Sequence, residues 1–491
     1  MQKQRKAGKK KKLSNAPFKL TPIDSSFTLK IQDSSQSKLN DDFLIHARNV
    51  DPRTRNSIKA RLFKQFLSIN RNLLSLFDLT AYPLFDGDNF DVRIESKSKI
   101  GALPLISPVT YKPDYSLIIS PRFGWDGIGP LLSNTGWRII PDILGLPQMK
   151  VSEKSIPPWV LSSIVLRRVE ALIKKLDRRF EFVEEVRQVP RGHINWNQYA
   201  TKSIQNAGFL NFPCRYPDLE SNRDLKSIIH YTLNKQLQSL STQREHGFYV
   251  LQLMDLCQHL LQFVKQNAPL RPSQRALNAF QRILFAGETY IHGLDAIDWT
   301  VNEKGLAGIG DMKGIPWQMS METLFEAYIE ACLSKLVKEI GGTIKTGRKR
   351  ETITAISWEP GFTGSQRFLL PDILLERDGQ QIIIDAKYKD HWEDLNIGGW
   401  QNMEQEIRER HRGDLFQILA YASMADYKNI TCCLVYPCKA ETFVSLSKRN
   451  RTTHKATLAM NDRVIDLRLT ALPLNLSLSD AAKALRSAIL N

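Results

Sequence analysis

Two apolar stretches joined by Asp378-Gly379 constrain this chain more tightly than any other feature of its sequence. The segment reads Arg-Phe-Leu-Leu-Pro-Asp-Ile-Leu-Leu-Glu-Arg-Asp-Gly-Gln-Gln-Ile-Ile-Ile-Asp-Ala-Lys-Tyr over residues 367–388. An Asp-Gly pair between such stretches predicts a β-hairpin with a two-residue turn. In that register Asp372 lies directly opposite Asp385, with Cβ atoms about 5 Å apart on one face. Lys387, two residues beyond Asp385, projects from the same face.

Two carboxylates in a mostly apolar hairpin repel each other unless a cation lies between them. Carboxylate oxygens are hard ligands that suit Mg²⁺ or Mn²⁺. Such a metal neutralises a scissile phosphate and activates a water, and Lys387 can orient or deprotonate that water or stabilise the phosphate charge. The sequence therefore predicts a metal-dependent nuclease centre on Asp372, Asp385 and Lys387. The alternative is an ordinary hairpin that carries polar residues on its solvent-exposed face.

A predicted helix at 321–330, with Ser320 as its N-cap, supplies two candidate ligands for the same metal. Glu322 and Glu326 are four residues apart and therefore share a face of that helix. Acidic residues favour the first turn of a helix for electrostatic reasons alone, which explains Glu322 without a metal. Glu326 is therefore the preferred third metal ligand, and Glu322 is the alternative.

A second helix is predicted downstream, over residues 414–422. Gln417 and Tyr421 lie one turn apart on it and share a face. These two side chains are expected to contact the substrate backbone or to brace the site. The alternative is that Tyr421 only packs in the core.

The charge of the chain points to a polyanionic partner. Its 68 Lys and Arg against 51 Asp and Glu give a net charge of +17, for which nucleic acid is the first expectation. An anionic membrane surface and a basic protein without a charged partner are the alternatives. No run of about 18 apolar residues is present, so no membrane span is expected. Six cysteines without a C-x-x-C pair fit reduced thiols in the cytoplasm and argue against a zinc site.

Composition and periodicity predict a multi-domain α/β protein. The expected parts are a disordered basic tail at 1–17, a β-rich N-terminal domain at 18–160, a mostly helical middle region at 161–305 and a nuclease domain at 306–491. The last boundary is placed at a glycine-rich stretch, residues 305–314, after which helices and strands alternate.

Together these elements resemble the PD-(D/E)xK nuclease superfamily, which combines an acidic helix, a Pro-Asp pair and an Asp-x-Lys motif. More particularly, the chain is similar to the McrC family, the nuclease subunits of McrBC-type modification-dependent restriction systems. The blocks that carry this resemblance are Leu324-Phe-Glu326, Asp385-Ala-Lys-Tyr388 and Gln417-Ile-Leu-Ala-Tyr421. Weaker similarity lies in Ile118-Ile-Ser-Pro-Arg122, Arg191-Gly192 and Asn222-Arg-Asp-Leu-Lys226.

The resemblance implies a restriction-endonuclease-like C-terminal core with a mixed sheet, and DNA cleavage that depends on Mg²⁺ or Mn²⁺. It also implies a partner, an McrB-like AAA+ GTPase ring that translocates DNA and on which the N-terminal domain docks. The chain has no P-loop motif, so any nucleotide-driven step needs that partner. A non-catalytic activator of the motor and a solitary nuclease are the alternatives. The sequence specifies neither the base modification recognised nor DNA over RNA.

Overall fold

The computed structural model describes residues 27–39, 44, 52–86, 89–150, 156–176, 181–218, 223–281, 287–306, 313–359, 361, 366–393, 405–460 and 463–490. The predicted basic tail at 1–17 lies outside these residues. Within them, no helix combines the length and the apolar character that a bilayer crossing requires. All six cysteines are buried and none forms a disulfide.

The N-terminal part contains two small sheets and a long helix. Its elements are β1 (Phe27–Gln32), β2 (Gln36–Leu39), α1 (Pro52–Leu76), β3 (Thr80–Asp86), β4 (Asn89–Glu95), β5 (Lys99–Leu105), β6 (Tyr115–Ser120), α2 (Gly124–Asn134), β7 (Asp142–Ile143) and β8 (Met149–Lys150). The 25-residue helix α1 is an addition to the β-rich domain that the sequence predicts. It forms because Phe63, Phe66, Asn70 and Leu74 recur at helical spacing and are all buried.

The middle part is mostly helical, as predicted, but it also contains a three-stranded sheet. Its elements are α3 (Pro158–Lys175), β9 (Glu181–Arg187), β10 (His193–Ile194), α4 (Trp196–Gln198) with a π-helical continuation at Tyr199–Ile204, β11 (Phe212–Asp218), α5 (Arg223–Ser241), a 3₁₀ turn at Arg244–His246, α6 (Phe248–Gln262), α7 (Gln274–Gln281), α8 (Glu288–Val301) and β12 (Gly305–Leu306). The sheet has the order β10-β11-β9. Strand β11 contains Pro213 and Pro217, residues that argue against a strand in sequence.

The C-terminal part is built on a six-stranded mixed sheet. Its elements are β13 (Lys313–Ile315), β14 (Trp317–Ser320), α9 (Met321–Ile340), β15 (Thr343–Thr346), a 3₁₀ turn at Gly347–Lys349, β16 (Thr354–Ala355), β17 (Phe368–Leu369), β18 (Ile373–Arg377), β19 (Gln380–Ala386), α10 (Gln405–Ser423), β20 (Asn429–Cys438), α11 (Ala440–Lys448), β21 (Thr453–Met460), β22 (Arg463–Pro473) and α12 (Leu478–Leu490). The sheet order is β15-β18-β19-β20-β22-β21. Strands β19, β20 and β22 are parallel and their other neighbours are antiparallel. This mixed sheet between helices confirms the α/β fold class.

Strand β14 joins the N-terminal sheet to the C-terminal part. The five-stranded sheet has the order β1-β6-β5-β14-β7, and β14 pairs antiparallel with both β5 and β7. The chain then passes from Ser320 directly into α9. The strand pairing therefore crosses the boundary expected at 305/306, and the first residues of α9 are fixed to the N-terminal sheet.

Three hydrophobic clusters form the core of the described residues. One joins α1 to the N-terminal strands. The largest joins the middle helices, α9 and α12 to one face of the six-stranded sheet, which Ile382 and Ile384 contribute. The third joins α10 to the opposite face through Ile383 and Ile418. The sheet that carries the predicted centre is thus covered on both faces.

Candidate active site

The hairpin formed by β18 and β19 has the predicted turn and register. Asp378 and Gly379 have φ values of 49° and 72°, as a type I′ turn requires. Arg377 pairs with Gln380 and Ile373 with Ile384, so the next opposed pair in the same register is Asp372 and Asp385. The predicted juxtaposition of the two carboxylates follows from this ladder.

Asp385 is fully buried at the end of β19. Lys387 Nζ lies 2.6 Å from Asp385 Oδ2, which forms an ion pair. The ammonium and the carboxylate are therefore in direct contact at a buried position. Burial raises the pKa of Asp385, and the Lys387 ammonium opposes that rise. Conversely, the Asp385 carboxylate raises the pKa of Lys387 although burial acts to lower it.

Asp372 lies at the open end of the same hairpin, directly before β18. Its Oδ2 accepts a hydrogen bond of 2.8 Å from the backbone N–H of Ala386. Burial raises the pKa of Asp372 to about 8, with Asp385 and then Glu326 as the next contributors. When both aspartates are ionised, their two negative charges therefore lie close together in a buried site.

Helix α9 brings Glu326 towards these aspartates. The Ser320 hydroxyl accepts a hydrogen bond from Thr323 N, which confirms the predicted N-cap. Burial raises the pKa of Glu326 to about 7, and Glu322 and Asp385 contribute to the rise. Glu322 itself is exposed. Of the two glutamates, Glu326 is therefore the one electrically coupled to both aspartates.

A cavity of about 180 Å³ separates α9 from the hairpin and is bordered by Glu326, Asp372 and Arg348. The guanidinium of Arg348 forms an ion pair of 3.2 Å with Glu330. Its positive charge also opposes the rise in the pKa of Glu326. The cavity thus combines carboxylates with a cation, and it leaves room for a small charged group.

The three predicted metal ligands approach from different sides of the sheet. Asp385 has the same strand parity as Ile383, which faces α10, whereas Glu326 lies on α9, the helix against the opposite face. Consistent with this, no group of three or more His, Cys, Asp or Glu in the described part of the chain is arranged to hold a metal ion. Asp372 and Asp385, which face each other across the hairpin, are the predicted metal ligands that the strand register brings together.

Gln417 and Tyr421 brace Lys387 from α10. Lys387 Nζ donates a hydrogen bond of 2.9 Å to Gln417 Oε1, and Gln417 Nε2 donates one of 2.7 Å to the Tyr421 hydroxyl. Tyr421 is also buried in the cluster that joins α10 to the sheet. Tyr421 thus both contacts Gln417 and packs in the core, and the role of these two residues in the site stays a prediction.

Two polar residues beside the centre were missed in the sequence. Lys389 Nζ lies 2.6 Å from Asp414 Oδ1, and the Tyr436 hydroxyl donates a bond of 3.1 Å to Asp414 Oδ2. Asp414 is buried and precedes Gln417 by three residues on the same helix. That helical spacing was the available signal for Asp414, and Lys389 repeats the two-residue step from Asp385 to Lys387.

Comparisons with known proteins place the chain in a family. Two solved structures from Thermococcus gammatolerans resemble it, each at 12% identity. One is a half-complex from a tetradecameric assembly of McrB AAA+ hexamers with bound McrC, with a TM-score of 0.40 over 94% of this chain and 100% of that chain. The other is the McrBC complex, with a TM-score of 0.25 over 63% of this chain and 88% of that chain. Likeness at this level carries no weight for function.

The search of curated proteins found no match. A family model matches residues 145–437, which is more than half of the chain and includes α9, the hairpin and α10. The chain therefore belongs to the family of McrBC 5-methylcytosine restriction system components.

Proposed function

We propose that the chain is the DNA-cleaving subunit of a prokaryotic restriction or anti-phage defence complex. It hydrolyses phosphodiester bonds with a divalent metal and acts with an McrB-like AAA+ GTPase. The observation that carries the proposal is the buried Asp385 carboxylate, ion-paired with Lys387 and opposed by Asp372. Membership of the McrBC family supports the restriction role and the motor partner.

The donor chemistry of the site fits a hard cation such as Mg²⁺ or Mn²⁺. Asp372 and Asp385 offer carboxylate oxygens, and Oδ1 of Asp385 is buried without a hydrogen-bond partner. Burial is the main cause of the raised pKa of each aspartate, and a bound cation would stabilise the ionised form of both. A bound divalent ion would polarise the scissile phosphate and lower the pKa of its water.

Each remaining residue has a role that its contacts support. Lys387, whose pKa is raised, stays protonated at neutral pH and offers a positive charge to the phosphate. Gln417 and Tyr421 hold its ammonium in place. Glu326 reaches the site from the other helix layer. Its pKa of about 7 suits proton transfer at neutral pH as well as a place among the metal ligands.

The alternative is a chain that activates the motor without cutting DNA. The observation in its favour is that the acidic side chains, as arranged in the described residues, do not gather three potential ligands around one point. A further alternative, a nuclease that needs no partner, differs only in its dependence on the AAA+ protein and its nucleotide.

A plasmid-cleavage assay with the full chain tests the proposal. The substrates are plasmids with and without 5-methylcytosine, incubated with Mg²⁺ in the presence or absence of the AAA+ partner and GTP. We expect the wild type to cut and Asp385→Ala to lose cleavage. Asp378→Asn is the matched control because its side chain is exposed at the far end of the same hairpin and Asn tolerates its positive φ.

Each outcome separates the candidate functions. Cleavage that survives Asp385→Ala means that the assigned centre is wrong. GTP hydrolysis stimulated by a wild-type chain that never cuts supports the non-cutting activator. Cleavage by the chain alone, without partner or nucleotide, supports the solitary nuclease.

A further inference from the structure

Arg122 connects the N-terminal sheet to the segment that carries the candidate active-site lysine. It follows β6, and the accessible fraction of its side chain is only 9%. Its Nη1 lies 2.8 Å from Asp390 Oδ2, and its Nη2 donates a hydrogen bond of 2.7 Å to the carbonyl of Tyr388, a residue 266 positions away in sequence. The guanidinium also lies 4.4 Å from the centroid of the Tyr388 ring.

The N-terminal side of this connection is itself anchored. Asp33, which follows β1, is fully buried, and its Oδ1 accepts a hydrogen bond of 2.6 Å from the backbone N–H of Arg122. Its other oxygen lies 3.8 Å from Arg122 Nε. The backbone N–H of Asp33 in turn donates to Ser120 O at 3.0 Å. Arg122 is therefore held by the ends of two neighbouring parallel strands.

The segment that Arg122 grips begins at Lys387. The backbone N–H of Lys387 donates to Val435 O at 2.9 Å, which continues the pairing of β19 with β20 by one residue. Beyond it the chain turns sharply, since Lys389 N donates to Lys387 O at 2.9 Å. Helix α10 restrains the segment through Gln417 and Asp414. Arg122 adds a further restraint by binding the backbone carbonyl of Tyr388, the residue that follows Lys387.

We propose that Arg122 is a positioning residue, which fixes Lys387 for phosphodiester hydrolysis by holding the carbonyl of Tyr388 and the carboxylate of Asp390. Through Asp33 and Arg122, the placement of Lys387 depends on the N-terminal sheet. The catalytic part of this inference rests on the proposed nuclease function, whereas the coupling between sheet and segment does not. The coupling and its catalytic consequence are therefore tested by two separate measurements.

The variants are chosen by contact geometry. Arg122→Lys keeps the charge but cannot hold a carbonyl and a carboxylate together as a planar guanidinium does. Asp390→Asn removes only the ion pair, at a side chain that is 35% exposed, so it tests the coupling even where Arg122→Lys fails to fold. Arg468→Lys is the matched control. Arg468 is equally buried, pairs with Asp466 and donates to the carbonyl of Ala488 at 2.8 Å, but it lies on β22.

Hydrogen–deuterium exchange of the full chain tests the coupling without any activity. In Arg122→Lys we expect amides in peptides that cover 385–391 to exchange faster by about tenfold or more, because charge-assisted bonds that hold the segment are lost. Asp390→Asn should show a smaller increase in the same peptides. Arg468→Lys should leave these peptides at the wild-type rate. Equal exchange of 385–391 in wild type, Arg122→Lys and Asp390→Asn would overturn the inference.

Cleavage kinetics test the consequence for the reaction. In Arg122→Lys we expect kcat to fall by about 100-fold while KM for DNA stays near the wild-type value, because the lysine is misplaced and not removed. A purely structural role would instead lower the melting temperature and leave kcat per folded molecule unchanged, which contradicts the positioning role. Where the wild type itself fails to cut DNA, the proposed function is wrong, and the exchange measurement still decides the coupling.

Discussion

Asp372 and Glu326 have pKa values far above the ordinary range of a carboxyl group, and burial is the main cause for each. The pKa of Asp372 is raised from 3.8 to about 8, and that of Glu326 from 4.5 to about 7. Over these ranges the folded chain binds more protons than the unfolded chain. Without a cation, the free energy of unfolding therefore falls as the pH rises from the ordinary value towards the raised one.

Replacement of Asp372 by Asn removes the part of this pH-dependent loss of stability that Asp372 contributes. In the presence of EDTA at pH 8, we expect Asp372→Asn to melt at a higher temperature than the wild type, and at pH 5 the difference should shrink. Asn still accepts the hydrogen bond from Ala386, so the shape of the site is kept. Thermal unfolding followed by circular dichroism measures the melting temperatures of the two proteins at each pH. A lower melting temperature for Asp372→Asn at pH 8 would contradict the raised pKa of Asp372.

At the scale of elements, the hairpin was predictable because its signals are local. Asp378-Gly379 specifies the turn, and the flanking apolar stretches specify the strands and hence the register. The N-cap Ser320 and the helix that carries Gln417 follow from short-range rules in the same way. The bond between Lys387 and Gln417 was not predictable, because it depends on how α10 packs against the sheet and no local sequence pattern specifies that packing.

Contacts between residues far apart in the chain account for the features that could not be predicted from the sequence. Strand β14 is only four residues long, and its partners β5 and β7 lie far away along the chain. The bonds from Arg122 to Asp390 and Tyr388 join residues that are 268 and 266 positions apart in sequence. Nothing in the local pattern of Pro121-Arg122 distinguishes it from an ordinary strand end.

Gly347 provides a test of how the neighbouring strand shapes the hairpin. Its backbone N–H donates to Asp372 O at 2.7 Å. A Cβ at this position would lie 2.7 Å from Pro371 O and 3.4 Å from Asp372 Cα, so the backbone that carries Asp372 must shift. We expect Gly347→Ala to lower the free energy of unfolding by about 1–3 kcal/mol and to weaken Mn²⁺ binding.

The control for this change is Gly361→Ala, because a Cβ there meets nothing within 4 Å. Chemical denaturation and Mn²⁺ titration compare the two variants. Wild-type stability and affinity in Gly347→Ala would show that Asp372 does not depend on the close approach of this turn.

At the scale of the whole molecule, the net charge of +17 favours a polyanionic partner. We expect the affinity of the full chain for double-stranded DNA to fall by about 10³-fold or more between about 50 and 200 mM salt, because Lys and Arg release counterions from the phosphates. Fluorescence anisotropy of a labelled duplex measures this slope. An affinity that does not change with salt would remove DNA as the reason for the charge.

The whole molecule also links its parts through the sheet and the core. Strand β14 places the start of α9 in the N-terminal sheet, and Arg122 grips the segment after Lys387. Helix α9 and the candidate lysine are therefore tied to structure outside the six-stranded sheet. The N-terminal sheet therefore contacts the candidate centre at two places, through the start of α9 and through Arg122.

The central claim is that Asp372 and Asp385 form a metal centre, and a Mn²⁺ titration followed by electron paramagnetic resonance tests it most directly. The wild type, Asp385→Asn and the control Asp378→Asn are compared at pH 8, because a lower pH would protonate Asp372 further. We predict that the wild type and Asp378→Asn bind Mn²⁺ at a saturable site and that Asp385→Asn loses this site. Unchanged Mn²⁺ binding by Asp385→Asn would contradict the claim.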